Sequence, residues 1–234
     1  MSLPALPDPS GADSSVMRER VAKVAALFEA EAGPLRWPGR RDPLAGLVQT
    51  LLSHNTTDPN AFAAYDKLQD RYRGWEDIAQ APHGDVANVI RVAGLNNQKA
   101  ERIQELLRFV KQEYGEYSAD VLDGMEFDEA FATFSHLKGV KHKTLAVVLT
   151  FDLGKDVFAV DTHVHRVCQR IGFVPEKATA VKTFQRMNEL VPEGLSYQFH
   201  IHLIRHGRKV CSARSPKCGE CFVREMCRYG RSNV

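Results

Sequence analysis

Four of the five cysteines in this 234-residue chain fall in one short run, Cys211, Cys218, Cys221 and Cys227, with the spacing C-x6-C-x2-C-x5-C. Thiols this dense serve either as disulfides or as metal ligands. The N-terminus lacks the basic-then-apolar layout of a secretory signal, so the chain is expected inside the cell, where reducing conditions disfavour disulfides. Metal is then the expected use. Four thiolates suit either tetrahedral zinc or a four-iron cluster, and the single C-x2-C is unlike the paired knuckles of most zinc sites. The stretch between the first two cysteines carries Arg214 and Lys217. A metal-bound loop would hold those two cations where phosphate could meet them; the alternative is that they only solvate the loop. Cys168 lies too far upstream to join the set and reads as a buried apolar residue of a helix face over 167–171.

A second group of chemically capable residues sits further upstream. His136-Leu137-Lys138-Gly139-Val140-Lys141-His142-Lys143-Thr144 precedes an apolar helix expected over about 145–153, which Gly154 would stop. Eighteen residues after Lys143 comes Val160-Asp161-Thr162-His163-Val164-His165-Arg166. A lysine at a helix start is ordinarily solvated, and an aspartate just before a helix is by default an N-cap. Neither makes a site alone. The formal net charge is only +2, but residues 136–234 hold 17 Lys and Arg against 8 Asp and Glu, and the rest of the chain is net acidic. That basic part either faces a polyanion or is simply a solvated surface.

The elements that must position these residues are helices, since apolar residues recur at three- and four-residue steps. One stripe is Val21, Val24, Ala25 and Phe28; a second Leu44, Leu47, Val48, Leu51 and Leu52; a third Ala61, Tyr65, Leu68 and Tyr72; a fourth Ile103, Leu106, Leu107 and Val110. Asp42-Pro43 and Asp58-Pro59 each predict an N-cap followed by proline at the first helical position. Connections are short, as at Gly94-Leu95-Asn96-Asn97 and from Gly115 onward, and only 157–160 hints at a strand. The reading is all-α. Residues 1–15, rich in Pro, Ser and Gly, read as a flexible tail. No stretch approaches the roughly 20 apolar residues needed to span a bilayer.

These motifs together resemble the endonuclease III family of helix-hairpin-helix DNA glycosylases. That family's hairpin reads Leu-Pro-Gly-Val-Gly-x-Lys-Thr-Ala, its second motif Val-Asp-Thr-His, and its C-terminal cysteines share the spacing found here. The resemblance covers nearly everything from Pro43 to Cys227. It implies a two-lobe fold: a helical barrel lobe with the hairpin over 41–155, and an iron-sulfur lobe from 16–40 plus 156–234, with the active cleft between them. It also implies a [4Fe-4S] cluster on Cys211, Cys218, Cys221 and Cys227. Lys143 matches the family's nucleophilic lysine and Asp161 its catalytic carboxylate. Gly139, Lys141, His163, Arg214 and Lys217 become expected DNA contacts. Asn55 stands where the family has a polar plug, usually glutamine, and Leu95 where it has a wedge.

The implied chemistry asks much of Lys143. An ordinary lysine is neutral in roughly one molecule in a thousand near neutral pH, and an ammonium cannot attack. A downward shift of about three units, roughly 4 kcal/mol, would free it; a helix start, nearby Lys141 and partial burial all push that way. The expected reaction is removal of an oxidised pyrimidine through a lysine Schiff base, then strand cleavage by β-elimination. Asp161 would stabilise positive charge on the sugar or assist proton transfer. The expected partner is double-stranded DNA with damaged bases or abasic sites, met by a cytoplasmic monomer, nucleoid-associated if bacterial. Three departures leave rivals open: Lys138 replaces the hairpin's proline, Lys141 its second glycine and Leu145 its alanine. A side chain in place of glycine can distort the turn. The rivals are a DNA-binding damage sensor with weak or lost catalysis, a glycosylase for uracil or thymine opposite guanine, and a zinc-stabilised helical protein with a protein partner.

Overall fold

The computed structural model describes residues 5–233, and among them there is no β-strand. The chain divides into two compact units, Met1–Pro38 with Gly154–Val234, and Gly39–Leu153. No helix among the described residues is long and apolar enough to cross a membrane. Part of the expected N-terminal tail, residues 1–4, lies outside the described residues. After a turn at Asp8, helix α1 (Ser14–Ala32) begins on the side chain of Asp13, which accepts from the Ser15 amide.

The 39–153 unit holds α2 (Pro43–Ser53), α3 (Asp58–Arg71), α4 (Trp75–Gln80), α5 (His83–Val89), α6 (Asn96–Tyr114), α7 (Phe127–Phe134) and α8 (His142–Val147). Asp42 caps α2 as expected, accepting from the amides of Leu44 and Ala45, and Pro43 opens the helix. Such a cap is worth about 1 kcal/mol. Asp58 does not repeat the pattern: Thr57 occupies the cap position, and Asp58 is already the first helical residue, where its charge favours the helix dipole. The stripes of α2 and α6 are fully buried, whereas α3 buries Ala61, Ala64 and Leu68 and leaves Tyr65 and Tyr72 half-buried. Phenolic oxygens favour partial exposure, so the smaller alanines take the interior. The apolar run after the hairpin starts earlier than expected, at His142, and from Val148 to Asp152 it widens into a π-helical turn. Asn96 and Asn97 likewise belong to a helix rather than a loop.

The other unit contains α1 and then α9 (Thr162–Ile171), α10 (Ala180–Leu190), α11 (Ser196–Lys209) and α12 (Arg228–Ser232). Residues 157–160 are extended but pair with no strand; they are buried, and Asn188 clamps Phe158 by accepting from its amide and donating to its carbonyl. Gly207 lets α11 cross α9 closely, since a Cβ there would stand 3.0 Å from the Cβ of His163. Arg20 of α1, 4% exposed, donates to the carbonyls of Ile171, Gly172 and Met226 and so ties three segments together. Burial brings its guanidinium down to about 10.

Candidate active site

The hairpin departs from the family pattern at three positions, and the structure accounts for each. Gly139 has φ +89°, and a Cβ on it would lie 2.8 Å from Leu51 Cδ2 and 3.2 Å from Arg102 Cδ, so glycine is required there. Lys141, at the second glycine's place, has φ −132° and ψ −170°, extended backbone open to any residue. The lysine there carries no left-handed strain. Its ammonium donates to the Ser135 carbonyl. Lys138 pairs with Glu101 at 3.1 Å, and Leu145 is fully buried.

Lys143 falls at the second position of α8 and is half-buried. Beside it, Thr144 donates its hydroxyl to the Gly139 carbonyl at 2.8 Å, closing the hairpin onto the helix, and its Oγ lies 3.4 Å from His54 Nε2. Burial first, then the charges of Lys143, Arg102 and Lys99, bring the His54 imidazole down to about 4. A neutral ring at ordinary pH adds no further cation next to Lys143.

Asn55 and Leu95 are the only non-glycine residues with positive φ among the described residues, at 51° and 48°. Both are exposed, Leu95 by 48%. The left-handed region costs a non-glycine residue about 1–2 kcal/mol, and such strain persists only where the surroundings impose it. Close by in the chain, Lys99 is fully buried, and its ammonium donates to the carbonyls of Leu52 at 2.7 Å and Ala93 at 2.8 Å. The residue pattern alone did not single out Lys99 or His54. Lys99 stands one helical turn before Ile103 on the apolar stripe of α6, and that placement was the available signal.

In the other unit Asp161 caps α9: its carboxylate accepts from the Val164 amide at 2.7 Å. The same helix reaches the cysteine loop. Arg166 donates to the carbonyls of Gly207 and Cys211 and lies 3.2 Å from His163 Nδ1. One turn later, Arg170 donates to the carbonyls of Ser212 and Ala213 and to Cys211 Sγ at 3.4 Å. Arg214 and Lys217 are exposed, Lys217 4.0 Å from Glu220.

Cys211, Cys218, Cys221 and Cys227 line one cavity together with Arg170 and His206. Cys221 Sγ faces His206 Nε2 at 3.7 Å, and Cys227 Sγ accepts from the Gly230 amide at 3.2 Å. Burial pushes the thiols of Cys221 and Cys227 up, Cys227 to about 11, and the neighbouring thiols push the same way. Thiolates gathered here would need a positive centre among them, which a metal bound by the four sulfurs would supply. No three His, Cys, Asp or Glu side chains among the described residues are close enough to hold a single ion. Cys168 is a free, fully buried thiol.

One helical unit ending in a hairpin and another carrying a four-cysteine loop are the parts of a helix-hairpin-helix protein of base excision DNA repair. The family model for HhH-GPD superfamily base excision DNA repair proteins matches residues 48–193, and that for the iron-sulfur binding domain of endonuclease III matches residues 211–227. Endonuclease III of Thermotoga maritima is 35% identical over 190 residues, covering 81% of this chain and 84% of that protein. A solved structure of a trapped endonuclease III–DNA covalent intermediate covers 95% of this chain and 99% of its own, with a TM-score of 0.77 and 27% identity. A thermostable thymine-DNA glycosylase matches with a TM-score of 0.75 and 27% identity, over 94% of this chain and 99% of its own. The chain belongs to the endonuclease III family, and its activity is that of a DNA glycosylase with AP lyase function.

Proposed function

We propose that the protein removes oxidised pyrimidines from double-stranded DNA, with Lys143 as the nucleophile and Asp161 as the carboxylate that steadies the charge developing on the sugar. The likeness to an endonuclease III caught covalently on DNA supports this most directly, since a covalent intermediate requires a nucleophile. Neutral Lys143 attacks C1′ of the damaged nucleotide; the C1′–N bond breaks and the base leaves with its electron pair, taking up a proton. The lysine nitrogen gives up its two protons, one to the departing base and one to O4′, which leaves C1′ with its electron pair as the ring opens, and the C1′–N bond becomes the double bond of a Schiff base. Abstraction of a C2′ proton then expels the 3′ phosphate by β-elimination, and water releases the amine. Asp161 already accepts one amide bond as a helix cap, which holds its carboxylate still while its other lone pairs remain for substrate.

Gly139, Lys141 and His163, with Arg214 and Lys217 on the cysteine loop, contact the phosphate backbone in this reading, while Asn55 and Leu95 enter the base stack. Cys211, Cys218, Cys221 and Cys227, which line one cavity, would hold a [4Fe-4S] cluster, a reading that the match to an iron-sulfur binding domain over residues 211–227 supports over zinc. The cluster serves as a scaffold for the loop. A second reading, excision of uracil or thymine opposite guanine, draws on the likeness to a thymine-DNA glycosylase.

Borohydride added to cluster-loaded protein on an abasic-site duplex should link protein to DNA, and Lys143→Ala should abolish the link while leaving visible absorption unchanged. A wild-type protein that fails to crosslink would remove the nucleophile from the mechanism. Duplexes carrying an oxidised pyrimidine or a G·T or G·U mismatch then decide the substrate.

A further inference from the structure

Lys99 carries more than a core position requires. It is fully buried, and burial and the Arg102 charge bring its ammonium down to about 8. A buried cation is costly unless its donors are used, and a methionine would fill the same space without that cost. Both of its acceptors are the ends of short structural elements. Leu52 lies in the last turn of α2, and Ala93 ends the 3-10 turn Arg91–Ala93. Carbonyls at such ends lack helical partners and carry partial negative charge, so one ammonium neutralises two of them.

Each of these carbonyls stands just upstream of a residue in left-handed backbone. Asn55 lies three residues beyond Leu52 and Leu95 two beyond Ala93, the only two non-glycine residues in left-handed backbone among the described residues. We propose that Lys99 is a positioning residue that fastens the Asn55 and Leu95 loops to one point, so that the two side chains enter the duplex as a single preset unit. This rests on the reading of Asn55 and Leu95 as the residues that enter the stack. With the splint in place, the loops meet DNA with their strain already imposed, and binding does not have to order them. Without it, the carbonyls of Leu52 and Ala93 lose their shared partner and each loop can relax independently.

The test uses full-length, cluster-loaded protein and a duplex with a tetrahydrofuran abasic analogue opposite 2-aminopurine, whose fluorescence rises when the opposite base is unstacked. Asn55→Ala and Leu95→Ala should each lower the rise at saturating protein. If neither does, the reading of those two residues fails. If they do and Lys99→Met does not, the role of Lys99 fails while theirs stands. The proposal expects Lys99→Met to lower the rise and to reduce, about tenfold, the ratio of cleavage of a true abasic duplex to cleavage of an abasic single strand, where nothing need be unstacked. Leu95→Ala added to Lys99→Met should then have little further effect; strictly additive losses would mark Lys99 as merely structural and overturn the proposal. Should Lys99→Met not fold, backbone order parameters of the wild-type protein decide. Residues 53–57 and 93–96 should be as rigid as α2 and α6, with values near about 0.85, and values below about 0.6 would overturn it.

Discussion

His54 gives the sharpest pH prediction. Its imidazole falls from an ordinary 6.5 to about 4 because burial and the charges of Lys143, Arg102 and Lys99 disfavour the cation. The folded state thus binds a proton less readily than the unfolded chain. The resulting stability is fully present above 6.5 and is lost as pH falls toward 4. Between pH 7 and pH 5 the loss from this one group works out at about 2 kcal/mol, and its partial exposure brings that toward 1. Against a total of about 5–15 kcal/mol, this is measurable. His54→Gln keeps a polar group near Thr144 but cannot titrate. Urea denaturation of both proteins at pH 7 and pH 5, at equal cluster loading, should show the wild type losing about 1–2 kcal/mol more than the variant on acidification. Equal losses in the two proteins, or an imidazole that titrates near 6.5 by NMR, would refute the crowding of charge around the hairpin.

Gly139→Ala should cost about 2–4 kcal/mol in the same urea assay, combining left-handed backbone with the close contacts to Leu51 and Arg102; wild-type stability would contradict the hairpin geometry. Asp152 should act in the opposite pH direction to His54. Burial raises its carboxyl to about 6 despite Arg41 at 2.9 Å, so the folded state holds the proton that the unfolded chain gives up near 3.8. As pH rises from 4 through 6, the wild type should lose up to about 3 kcal/mol relative to Asp152→Asn, then run parallel to it; a constant difference across that window would refute the burial argument.

What the sequence determined by itself is whatever depends on near neighbours along the chain. The spacing of the four cysteines, the 3.6-residue stripes of α1, α2 and α6, and the caps at Asp42 and Asp161 all lie within a few residues of the groups they serve, so residue type and interval carried them. The cap at Asp58 and the start of the hairpin helix each lie within a turn of where the sequence puts them, because a cap and a helix start are chosen by how the backbone meets its neighbours. The tertiary structure alone decided the work of Lys99, Arg20, Arg166 and Arg170. Their partners are mostly main-chain carbonyls, 47 residues away for Lys99 and Leu52 and 151 for Arg20 and Ile171. A carbonyl belongs to every residue alike and leaves no mark in a sequence. Only the folded chain shows which of them converge on a buried cation.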